Sequence, residues 1–98
     1  MAFPAYQNML SLTGSEADVR RHLKSAIQFA RCSDREVWIE HMATRTFKTL
    51  PTEVHYRLTW TSYLGWKAYS YMTGCLASGP CELRVLNEEC DMVCHKQG

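Results

Sequence analysis

Long apolar runs, runs of like charge and internal repeats are all missing from this 98-residue chain. No stretch reaches the roughly 18 apolar residues of a membrane span, so none is expected to cross a bilayer. With 11 basic and 10 acidic side chains the net charge is +1, too little for a global field that recruits nucleic acid or an anionic membrane. Met1 to Leu12 has neither a charged leader nor a long apolar core and does not read as a secretory signal. Linkers and low-complexity tracts are absent too, which leaves one domain over residues 1–98. A catalytic or cofactor signature is also missing, and the expectation is a non-enzymatic protein without cofactor.

What is there is globular composition: 46% hydrophobic, 21% charged and 11% aromatic. The five cysteines, Cys32, Cys75, Cys81, Cys90 and Cys94, are an odd number, so a secreted disulfide scaffold would leave one thiol over. Free thiols in a reducing cytoplasm are the simpler expectation.

Four segments show a start signal, a helical stripe and a stop. Ser15 precedes Glu16 and Asp18, a capping hydroxyl followed by acids that suit a helix dipole. Val19, Leu23, Ala26, Ile27 and Ala30 then share one helical face, which predicts a helix over 16–31. Ser33 and Glu36 have capping-box spacing and open a second stripe, Ile39, Met42, Ala43, Phe47 and Leu50, halted by Pro51. These predict helices over 34–48 and, restarting at Thr52, over 52–73 with Gly74 as its stop. A fourth stripe, Leu83, Leu86, Cys90, Val93 and Cys94, predicts a helix over 80–95 and places the last two cysteines in the core. The expected fold is therefore all-α, a small four-helix bundle-like domain. The alternative is α+β, with the N-terminal helix packed on an antiparallel meander, because Val54, Tyr56, Leu58 and Trp60 also alternate with polar residues.

Three constellations bear on function. Cys75 and Cys81 have five residues between them, and Cys90 and Cys94 have three, with His95 adjacent, so a zinc-stabilised module is one alternative. Arg20, Arg21, Lys24, Arg31 and Arg35 gather in a first half holding seven basic and five acidic residues, which makes a small nucleic-acid-binding regulator a second alternative. On the third predicted helix, Val54, Leu58, Gly65, Ala68 and Met72 share one face. Tyr56, Trp60, Tyr63, Leu64 and Tyr71 form a second apolar stripe opposite, with Lys67 inside it. A helix apolar on both sides is either central or gives one face to a partner, and aromatics anchor interfaces.

The segment Arg35-Glu36-Val37-Trp38-Ile39-Glu40-His41 also resembles the arginine–histidine spacing of HEPN-type ribonucleases, which implies a helical, dimeric setting. It departs from that family at Glu36, where Asn, Asp or His is usual, and no catalytic role is carried over.

The function expected from all this is binding of a larger protein, or self-association, as an adaptor, inhibitor or regulator. Inhibitors of host machinery encoded by viruses or mobile elements belong to this size class. Tyr56, Trp60, Tyr63, Leu64, Lys67 and Tyr71 are the expected contact residues.

Overall fold

A computed structural model of the chain describes residues 5–33, 36–46, 48–49, 52–63, 65–77 and 79–98. The chain begins with strand β1 (Tyr6–Ser15), whose last residue caps helix α1 (Glu16–Arg31). Ser15 Oγ accepts the Asp18 N–H at 3.4 Å, and Val19, His22, Ala26 and Ala30 form the buried face of the helix. This first helix lies where its cap and stripe predict it.

Beyond it the all-α expectation is overturned. The chain continues as β2 (Trp38–Arg45), β3 (Glu53–Ser62), α2 (Gly65–Leu76), β4 (Cys81–Leu86) and β5 (Met92–Gln97). The predicted helix over 34–48 is a strand from Trp38 to Arg45. The predicted helix over 52–73 is a strand first, and it becomes helical only at Gly65. The physical reason is the period. Val54, Leu58, Trp60 and Ser62 are buried and the residues between them are not, which is the alternation of a pleated strand, with β-branched and aromatic residues along it. The predicted helix over 80–95 is a hairpin, β4 and β5 joined through Asn87 to Asp91. Gly74 stops nothing. Helix α2 runs through it to Leu76, and Gly79, at φ 111°, takes up the left-handed conformation after the helix.

The five strands form one antiparallel sheet in the order β2-β3-β1-β4-β5. Because β3 is antiparallel to both β1 and β2, those two run the same way with β3 inserted between them; β3 and β4 likewise flank β1. This is the split βαβ arrangement of ferredoxin-like folds, extended by β5 at one edge. The α+β alternative was the nearer of the two expectations, though with a second helix and crossovers instead of a meander. Leu10 and Leu12 of β1, Leu58 and Trp60 of β3, and Leu83 and Val85 of β4 meet Val19, Ala26, Ala30 and Met72 of the helices in one core.

Candidate functional site

Strand β2 lies at the edge of the sheet, and all eight of its residues are exposed. Trp38, Ile39 and Met42 are 68%, 44% and 43% exposed, three of the large apolar side chains that the fold leaves in solvent. The register with β3 pairs Trp38 with Thr59, Glu40 with Arg57 and His41 with Tyr56, and then slips between His41 and Ala43. Met42 is the extra residue of this bulge, unpaired with β3. The imidazole of His41 closes the bulge. Its Nε2 lies 2.6 Å from Thr44 Oγ1 and 3.1 Å from the Ala43 carbonyl oxygen, while its ring stacks on Tyr56 at 4.7 Å. Arg57 donates to Glu40 at 3.2 Å and ties the strand to its neighbour. One side of β2 is thus fixed to the sheet, and the other presents a strand edge with apolar side chains, without lysine or proline from Trp38 to Arg45, where Glu40, Arg45 and the bulge at Met42 are the features that oppose pairing.

At the other edge, β5 exposes Met92 and Val93, but it carries Lys96 and holds Cys94 and Lys96 half-buried against β4. His95 and Arg84 both reach Glu82, each at 3.4 Å.

A second group of reactive side chains sits where α2 meets β4. Cys75, on the last turn of α2, and Cys81, the first residue of β4, are 4% and 3% exposed. Their thiols are hydrogen-bonding neighbours, and the Tyr71 hydroxyl reaches both Cys75 and, at 3.3 Å, the carbonyl oxygen of His22. The hydrogen bond with Cys81, aided by Tyr71, brings the Cys75 thiol down to about 7 against the opposing effect of burial. The same bond and burial hold Cys81 far above the usual thiol range; burial first, then Cys75, does the same to the Tyr71 phenol. A groove of about 590 Å³ between the helices opens on this group, lined by Arg21, His22, Ser25, Tyr71 and Cys75 among others.

The residues expected to meet a partner are not one face. Tyr56 and Trp60 point to the same side of β3 as Val54 and Leu58, so the two opposed stripes of a helix do not exist. Trp60 is 1% exposed and packs edge-on against Phe29 at 6.4 Å, and Tyr71 stacks on the same Phe29 ring at 4.8 Å. Tyr56 lies under His41, while Tyr63 is exposed beyond the end of β3. Leu64 and the side chain of Lys67 lie outside the described residues. The strand alternation was the signal that puts Trp60 on one face with Leu58; that Trp38 stands on an edge strand is set by pairing and is invisible locally.

On α1, Arg20 pairs with Glu16 at 2.6 Å and Arg21 with Asp18 at 3.1 Å, which neutralises half of the described basic set; Lys24 and Arg31 are exposed, and Arg35 lies outside the described residues. The four cysteines of the zinc alternative are not gathered. Cys90 is exposed in the β4–β5 turn and Cys94 pairs with Val85, four residues along β4 from Cys81, or roughly 13 Å. Among the described residues no group of three or more His, Cys, Asp or Glu side chains is placed to hold a metal. The buried thiols are Cys75 and Cys81, not the expected Cys90 and Cys94. His41 stands on an edge strand and not on a helix, so the setting implied by the ribonuclease resemblance is not found. No helix among the described residues is long and apolar enough to cross a membrane.

No family model matches the chain. No curated protein matches it either. Among solved structures the chain is similar to a de novo designed protein, Foldit4, at 17% identity, over 85% of this chain and 94% of that one, with a TM-score of 0.44. A likeness of that size says nothing of function.

Proposed function

We propose that the chain is a non-enzymatic interaction module that docks an extended segment of a larger protein on the free edge of β2. The observation that carries this reading is a run of eight exposed strand residues bearing Trp38, Ile39 and Met42. An added strand would receive its affinity from main-chain hydrogen bonds and its selectivity from alternate side chains, the usual division in strand addition. Trp38 is the residue best suited to anchor it, because a large ring with little conformational freedom loses little on binding. Five free thiols fit a cytoplasmic setting.

The test uses two baits in the native host, the wild-type chain and a Trp38→Lys/Met42→Lys variant. Both positions are exposed, so circular dichroism and melting should be the same for both. An edge lysine opposes strand addition. A protein retained by the wild type and lost from the variant supports the reading. Equal retention by both overturns it, and so does concentration-dependent self-association that accounts for all binding through β2.

A further inference from the structure

Two thiols buried against each other inside a core are either inert packing or chemistry, and the surroundings of Cys75 and Cys81 favour chemistry. The pair is held in place from both sides. Gly79 N–H donates to the Cys75 carbonyl at 3.1 Å, which ties Gly79 to the helix end, and Thr13 N–H donates to the Pro80 carbonyl at 3.0 Å, which ties Pro80 to β1. The two thiols are neighbours, and Cys75 alone of the two lines the groove between α1 and α2. Arg21, whose guanidinium pairs with Asp18 at 3.1 Å, and His22, whose Nδ1 lies 2.8 Å from the Asp18 carbonyl oxygen, line the same groove and make it polar without a net positive charge.

We propose that Cys75 and Cys81 are a reversible dithiol–disulfide pair, oxidised by a small disulfide that enters the groove between the helices. The Cys75 thiolate attacks one sulfur of the reagent R–S–S–R. A Cys75–S–S–R bond forms, the S–S bond of the reagent breaks, and one RS⁻ leaves and takes up a proton. Cys81 then gives its proton to solvent and its sulfur attacks that of Cys75, so the internal disulfide forms and the second R–SH departs. The protein loses two electrons and two protons, and the reagent leaves as two thiols. Division of labour follows from the geometry: the thiol facing the groove attacks, and the one behind it resolves. The low position of the Cys75 thiol, about 7, agrees with its role as attacker. Nothing in this proposal depends on docking at β2.

Oxidised glutathione is the probe. The folded chain, with Cys32→Ser and Cys90→Ser removing the two exposed thiols, is equilibrated in glutathione buffers of increasing oxidation and mapped by mass spectrometry after acid quenching. The expected result is loss of two hydrogens, one linkage between the peptides carrying Cys75 and Cys81, and full return of both thiols on reduction. Cys81→Ala should instead hold one glutathione on Cys75, and Cys75→Ala should leave Cys81 unmodified. A folded chain in which Cys75 and Cys81 stay reduced while Cys94 takes glutathione overturns the proposal. So does a linkage that appears only in denaturant, or modification of Cys81 in the Cys75→Ala chain. The wild-type peptide map decides the matter even where a single variant fails to fold.

Discussion

Trp60 carries the sharpest difference between the local pattern and the folded chain. On a helix it would stand opposite Leu58, and its truncation would spare the fold. On β3 it lies two residues beyond Leu58 on the same face, against Phe29. Truncation to alanine therefore opens a core cavity and costs about 3–5 kcal/mol, with Leu58→Ala close behind at about 2–5 kcal/mol. Denaturant unfolding should show both midpoints falling together; a Trp60→Ala chain as stable as wild type would remove it from the core. Trp60→Phe should cost much less, because the buried indole Nε1 has no partner among the described residues and its loss relieves a desolvated donor.

Helix α1 was legible because every signal for it is local: a capping serine, acids in the first turn and a stripe at 3.6-residue spacing, all within 17 residues, 15–31. The remaining elements were not legible for different reasons. In β3 the alternation was present, but the aromatic residues also fit a helical stripe, and no local signal separates the two. In the last hairpin, Leu86, Cys90 and Val93 mimic helical spacing although a turn divides them. That turn is built by Asn87, whose Oδ1 accepts the N–H groups of Glu89 at 3.0 Å and Asp91 at 2.9 Å. Its left-handed residue is Cys90, at φ 63°, where glycine or asparagine would have announced a turn. Asparagine tolerates that conformation better, so Cys90→Asn should raise stability by about 0.5–1 kcal/mol in thermal or denaturant unfolding. An unchanged or lower midpoint would show that the backbone there carries no strain.

Sheet order is a property of the whole molecule, and it decides which apolar residues end inside. Trp38, between Val37 and Ile39, has the more apolar neighbours in sequence, and Trp60, between Thr59 and Thr61, the more polar ones, yet one edge strand and one interior strand leave Trp38 exposed and Trp60 buried. Of the candidate docking edge, Ile39 and Met42 were in view as part of a supposed helical stripe and Trp38 was not singled out; the exposure of all three follows from the pairing of β2 with β3 alone. The same order separates a complete unit from an addition. Strands β1 to β4 with both helices close the split βαβ arrangement, and β5 adds one hairpin partner to β4. What β5 contributes to burial is modest, Cys94 and Lys96 being its half-covered residues. What β4 contributes is not, since Cys81, Leu83 and Val85 are 3%, 0% and 1% exposed. A chain ending at Asn87 should then keep its helical and strand circular dichroism and unfold in one cooperative transition, at a lower midpoint than the full chain. A chain ending at Pro80 loses a core strand that pairs with central β1 and should show no cooperative transition at all. If the chain ending at Asn87 is already unfolded, β5 is part of the folding unit, and the division into a four-strand core and an added edge is wrong.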